Sequence, residues 1–207
     1  MNPLTARPKR IMVFGDIMLD VKLNGSIHKI ANEAPVPVLL HESEQKYLGG
    51  CGNVLLNLQS LGCEKLYIYS MLGNDSYGKE ISSIVSSYPE IVQRFYTDDS
   101  YCTIVKTRGF SNKKIIFRYD IEKSAKLLQI HIEQLKVDTV TALQTTRIDA
   151  IIISDYNKGF ISKEVSQFVI EMANKTGVPT FVDPKVDYTK YLNCTLLKPN
   201  IKELGDV

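Results

Sequence analysis

The sequence predicts an α/β fold, a parallel β-sheet covered by helices on both faces, and three observations predict it. Short runs such as Ile11 to Phe14 and Ala150 to Ile153 are apolar at every position, the pattern of strands buried on both sides. Stretches with helical spacing of ten or so residues separate these runs. Asp or Asn closes several of the runs, as at Asp16, Asp155, Asp183 and Asn200.

The elements follow in chain order. Ile11-Met12-Val13-Phe14 is the first strand, closed by Gly15-Asp16. Val54 to Leu61 has helical spacing and stops at Gly62, a residue that readily takes the left-handed conformation ending a helix. Leu66 to Met71 is a second strand, Tyr77 to Ser86 a second helix and His131 to Leu143 a third. Ala150 to Ile153 is a strand closed by Ser154-Asp155, and Lys163 to Lys175 a helix ending at Gly177. Pro179 to Val182 and Cys194 to Leu197 complete the sheet, so the core reads as Rossmann-like.

Two stretches break the alternation and predict a small antiparallel β lid, from about 21–40 and 101–120. In Ala34-Pro35-Val36-Pro37-Val38 the prolines lack backbone donors, which puts that strand at a sheet edge or at its entry. Thr103 to Thr107 and Lys114 to Tyr119 flank Gly109-Phe110-Ser111-Asn112 and read as a hairpin turning there.

Composition narrows the function classes. The chain has 207 residues, 44% apolar and 23% charged, enough for a full core in one domain, 1–207. Its net charge of +2 is dispersed, with nothing longer than pairs such as Lys113-Lys114, so no footprint for nucleic acid forms. Met1 to Arg10 is polar, no stretch is long and apolar enough to span a bilayer, and the chain reads as cytoplasmic. Cys51, Cys63, Cys102 and Cys194 form no CxxC pair, which argues against zinc and against a disulfide framework.

Ligands of open parallel sheets gather beyond the carboxyl ends of the strands, where Asp16, Asp20, Asp155, Asp183 and Asn200 fall. Each alone suits a helix cap; five on one rim point to a site. Gly49-Gly50-Cys51-Gly52-Asn53 opens onto a helix, so bare backbone and an amide side chain can meet hydroxyls needing both donors and acceptors. It is not a Walker A loop, because no Gly-Lys-Ser/Thr follows.

Six blocks in order resemble the ribokinase-like (PfkB) carbohydrate kinases: Gly15 to Asp20, Glu33 to Val38, Gly49 to Asn53, Ser154 to Gly159, Val182 to Lys185 and Pro199 to Glu203. The Glu-Ala-Pro-Val-Pro-Val and Ser-Asp-Tyr-x-Lys-Gly blocks are similar to those of the D-glycero-β-D-manno-heptose 7-phosphate kinases, which form the first domain of a bifunctional ADP-heptose synthesis enzyme. The resemblance implies ATP and Mg²⁺ as cofactors and a sugar phosphate as substrate. It implies that Asp20, Gly49, Gly50 and Asn53 hold the sugar, with Asp155 nearby. Asn200 and Glu203 match an Asn-x-x-Glu motif that places Mg²⁺ and the nucleotide phosphates, with Glu203 at the metal. Lys158 and Lys185 fall where cations meet phosphate, against a bland reading as solvated lysines. Lys106, Arg108 and Arg118 are the lid cations for a substrate phosphate, although an Arg118–Asp120 edge salt bridge explains Arg118 nearly as well. Family members often dimerise through the lid, and the sequence leaves that open here.

The family's Gly-Ala-Gly-Asp block, with its anion hole and general base, follows the Asn-x-x-Glu motif and does not occur up to Val207. The expectation is therefore an incomplete kinase domain whose C-terminal part is missing, with no catalytic base and little phosphoryl transfer of its own. Kinases of other sugars, such as ribose or fructose, and a non-catalytic sugar-binding remnant are the competing readings.

Overall fold

The computed structural model describes residues 9–123 and 125–201. Six parallel strands form the main sheet in the order β10-β9-β8-β1-β4-β5. They are β1 (Arg10–Gly15), β4 (Lys65–Gly73), β5 (Ile91–Asp98), β8 (Ala150–Ser154), β9 (Thr180–Asp183) and β10 (Leu196–Leu197). β1 lies at the centre, with Phe14 in register with Tyr69 of β4 and Ile153 of β8.

Alternation along β1 explains why its apolar run is uninterrupted. Met12 and Phe14 enter one buried cluster with Leu135 of helix α3 (Gln129–Thr145) and Val169 of helix α4 (Lys163–Thr176). Ile11 and Val13 enter another, with Leu55 of α1 (Cys51–Ser60) and Ile81 of α2 (Ser76–Ser86). A strand between two helical layers has no solvent face on which to place polar residues. Gly62 and Gly177, past the ends of α1 and α4, have φ of +79° and +70°, as their positions required.

β5 was not foreseen. Its sequence, Ile-Val-Gln-Arg-Phe-Tyr-Thr-Asp, occupies the sheet edge and is only partly buried, so it carries no continuous apolar run.

The second sheet has four strands in the order β3-β2-β6-β7: β2 (Ile17–Ile30), β3 (Pro37–Gly50), β6 (Val105–Ser111) and β7 (Lys114–Ile121). The expected antiparallel pattern holds for β2–β3 and β6–β7, whereas β2–β6 is parallel. β2 follows directly on β1, and its parallel pairing with β6 makes the lid mixed. Pro37 is the first residue of the edge strand β3, where its missing N–H removes no ladder bond. The β6–β7 turn falls at Asn112 and Lys113, with φ of +48° and +64°, a few residues later than Gly109 suggested. Gly109 instead sits within β6 opposite Phe117, whose ring occupies the space a Cβ would need, 2.1 Å away.

Candidate sugar-binding site

The lid and the N-terminus of α1 enclose a cavity of about 670 Å³. The period-two alternation of strands builds its wall: Met18, Asp20 and Lys22 of β2 face it, as do Lys106, Arg108 and Phe110 of β6. Val21 of β2 and Leu48 of β3 join it out of that alternation, and Tyr47, Gly49 and Gly50 of β3, Asn53 of α1, Arg118 of β7 and Tyr156 after β8 complete it.

The glycines serve close packing around the acid. A Cβ on Gly49 would lie 2.2 Å from Asp20 Oδ2, so only glycine leaves the carboxylate its place. Gly50 has φ of +60°, and its Cβ position would fall 2.2 Å from the Asp16 carbonyl oxygen. That carbonyl accepts from Cys51 N at 3.0 Å, which anchors α1 to the end of β1. Among the described residues no side chain caps α1, so its first turn presents backbone N–H groups beside Asn53.

Cations outnumber acids on the cavity wall: Lys22, Lys106, Arg108 and Arg118 against Asp20. Arg108 Nη1 donates to Asp20 Oδ1 at 2.5 Å. Arg118 grips Asp120 with two bonds, Nε to Oδ1 at 2.8 Å and Nη2 to Oδ2 at 2.6 Å, and this holds the Asp120 carboxyl below its usual range. Lys106 Nζ lies 3.7 Å from Asp120 and 3.8 Å from Glu122. Lys22 stands 5.0 Å above the Phe110 ring.

Of the residues singled out in the sequence, Asp20, Gly49, Gly50, Asn53, Lys106, Arg108 and Arg118 line this one cavity. Asp155, placed by resemblance beside the substrate, does not line the cavity. Its buried carboxylate accepts from Asn157 N at 2.6 Å, from Lys190 Nζ at 3.0 Å and from the Tyr191 hydroxyl, so its acceptor capacity is taken up inside the protein. Lys158 Nζ pairs with Glu122 Oε2 at 2.8 Å and holds that carboxyl below its usual range. Lys185 follows β9 and Asn200 follows β10, both exposed at the carboxyl rim of the main sheet and outside the cavity lining. Glu203 lies outside the described residues. Sequence reasoning missed Lys22, Tyr47, Phe110 and Tyr156 among others; the alternation of 20 and 22 and of 106, 108 and 110 was the signal for Lys22 and Phe110.

The chain matches the family model described as pfkB family carbohydrate kinase over residues 8–207. It belongs to the pfkB carbohydrate kinase family. Relatives of this pfkB chain include proteins named bifunctional protein HldE. The one from Granulibacter bethesdensis is 36% identical over 197 residues, covering 95% of this chain and 40% of the relative. That from Methylobacillus flagellatus is 38% identical over 201 residues, covering 96% and 41%. The chain therefore spans about two-fifths of the length of these relatives.

Solved pfkB-like structures share the fold. A putative phosphofructokinase from Staphylococcus aureus superposes with a TM-score of 0.71 at 17% identity, covering 95% of this chain and 61% of that one. Ribokinase from Giardia lamblia gives 0.64 at 13%, covering 94% and 63%. Among the described residues, no helix is long and apolar enough to cross a membrane.

Proposed function

We propose that the cavity between lid and core is the sugar-phosphate site of an ATP-dependent carbohydrate kinase, and that its substrate is a heptose 7-phosphate destined for ADP-heptose synthesis. What carries this reading is the joining of one carboxylate, Asp20, with four cations in a single cavity. A polyol needs an acceptor such as Asp20 and the mixed donor and acceptor of Asn53. A phosphate monoester needs cations, and guanidinium groups match its oxygens in pairs.

In this reading the two sheets act as one domain, 1–207. Gly49 and Gly50 let the backbone approach the sugar ring, while Asp20 and Asn53 hold its hydroxyls. Lys22, Lys106, Arg108 and Arg118 fix the phosphate at the far end, and this fixes the orientation of the hydroxyl to be phosphorylated. Phosphoryl transfer rests largely on such positioning.

ATP lies along the carboxyl rim, where Lys158, Lys185 and Asn200 sit outside the sugar cavity. Among the described residues, no group of three or more His, Cys, Asp or Glu side chains is placed to hold a metal ion. Mg²⁺ retains several waters and needs only one or two carboxylates, a role the family motif gives to Glu203. ATP as phosphoryl donor accords with action in the cytoplasm.

Calorimetric titration with heptose 7-phosphate, ribose and fructose, alongside an ATP-consumption assay, tests the proposal. Binding of the heptose phosphate that disappears in Asp20→Ala is the expected result. Preference for an unphosphorylated sugar would redirect the assignment to another sugar kinase, and binding of none would overturn it.

A further inference from the structure

The segment 156–160 connects the core to the sugar cavity, and its shape depends on one buried side chain that the proposed reaction does not use. Asp16 follows β1, is 2% exposed, and is not among the residues that line the cavity with Asp20. Its Oδ2 accepts from Tyr156 N at 2.9 Å and from Lys158 N at 3.1 Å, and its Oδ1 accepts from Phe160 N at 3.2 Å. Alternate N–H groups of one turn therefore converge on a single carboxylate, as in an anion-binding nest.

Beside Asp16, the turn is held by Asp155 and by Phe160, which is buried in the core. Asn157 and Gly159 have φ of +56° and +112°, and a Cβ on Gly159 would fall 1.8 Å from the Ala125 carbonyl oxygen. Asn157 N is held by Asp155, so Asp16 and Asp155 between them take four amides of five successive residues. Two side chains leave this turn toward the lid: Tyr156 lines the cavity, and Lys158 reaches Glu122 just beyond β7.

We propose that Asp16 is a positioning residue for the sugar-phosphate site: by gripping the amides of Tyr156, Lys158 and Phe160 it holds Tyr156 against the bound sugar and Lys158 against the lid. This deepens the function proposed above and rests on it. Asp16 touches no substrate; it acts through the turn. Its ionised form is the one that accepts three hydrogen bonds, and protonation of either oxygen turns an acceptor into a donor. The groups facing it are Asp155 beyond β8, Cys51 at the start of α1, Tyr101 and Tyr191.

The test compares the native protein with Asp16→Asn, which keeps the shape and replaces one acceptor oxygen with a donor. Two readouts are taken: amide hydrogen exchange of the 155–161 peptide, and heptose 7-phosphate affinity from pH 5 to 8. Exchange in that peptide at least tenfold faster, with the β1 and β8 peptides unchanged, and an affinity about tenfold weaker at pH 7.5 are expected. A phosphate monoester itself titrates near pH ~6, so the diagnostic is the difference between the two pH profiles. The native affinity falls more steeply below neutrality than that of Asp16→Asn.

Unchanged exchange, or faster exchange with unchanged affinity, would overturn the proposal. Asp20→Ala separates the two levels. If Asp20→Ala abolishes binding and Asp16→Asn does not weaken it, only the positioning role fails; if Asp20→Ala also binds normally, the sugar site itself fails. Should Asp16→Asn not fold, exchange of the native 155–161 peptide at pH 5 against pH 7.5, corrected for intrinsic rates, decides: added protection lost at pH 5 supports the role, and equal protection overturns it.

Discussion

Arg108 reaches diagonally across the lid to the Asp20 carboxylate, with Nη1 2.5 Å from Oδ1. In the parallel register Asp20 pairs with Lys106 and Lys22 with Arg108, so the contact spans one step of the ladder. Both side chains are about one-third exposed, which places the pair at the cavity wall, neither buried nor free in solvent. The carboxylate assigned to sugar hydroxyls is thus aimed by the cation assigned to the phosphate end.

Removing that cation should therefore cost more than one phosphate contact. Arg108→Ala is expected to weaken heptose phosphate binding by about 100-fold or more, beyond the roughly 10- to 100-fold of one charge-assisted hydrogen bond. Arg108→Lys keeps the charge without the planar fork and should recover only part of the loss. Calorimetry on the three proteins checks both, and equal affinities would show that the pair is a surface ornament of the lid.

Gly49→Ala tests the packing from the other side. Its Cβ would stand 2.2 Å from Asp20 Oδ2 and 2.8 Å from Met18 Cγ, so the carboxylate must swing or β2 must shift. Overpacking of this kind typically costs about 1–3 kcal/mol. The expected outcome is a modest fall in thermal stability accompanied by near-complete loss of sugar binding. A variant with native affinity would mean that Asp20 has room the structure does not show.

How much of this was legible varied with the physical signal. Ile11 to Phe14 of β1 and Ala150 to Ile153 of β8 are apolar at every position because helices cover both faces of the sheet there, so continuous runs betrayed them. β5 lies at the edge, mixes Gln93, Arg94 and Thr97 into its length, and gave no run to read. β3 is exposed along most of its length, and only Pro35 and Pro37 marked where it began. At the site, Asp20, Gly49, Gly50 and Asn53 were legible because they sit in short contiguous motifs. The inward turn of Asp155 was not, because its partners Lys190 and Tyr191 lie 35 and 36 residues away and no local pattern announces them.

Tyr69 offers a prediction about stability alone. Its ring stacks on Phe14 with centroids 4.3 Å apart, it is fully buried, and its hydroxyl has no hydrogen-bond partner among the described residues. A buried unpaired hydroxyl costs about 1–3 kcal/mol, while the stacking survives its removal. Tyr69→Phe should raise unfolding stability by about 1 kcal/mol, read as a higher denaturation midpoint with an unchanged slope. A loss of stability would mean that the hydroxyl is solvated within the cleft it lines with Arg94 and Asp138.

Asp16 links pH to stability and to binding with opposite signs. Burial raises its carboxyl from the ordinary 3.8 to about 6, with repulsion from Asp155 in the same direction, against the amides of Tyr156, Lys158 and Phe160, which favour the charged form. A group whose pKa is raised on folding binds its proton more tightly in the folded chain. Its stabilising contribution is full below about pH 4 and is lost as the pH rises through about 6. The difference in unfolding free energy between the native protein and Asp16→Asn should therefore shift in favour of the native protein on going from pH 7.5 to pH 4.5. The size of the shift is on the order of 2 kcal/mol. Sugar phosphate affinity should move the other way, because the protonated carboxyl no longer accepts from all three amides. Parallel melts and titrations on the two proteins check this, and stability and affinity falling together by the same amounts in both would show that other carboxylates govern the acid response.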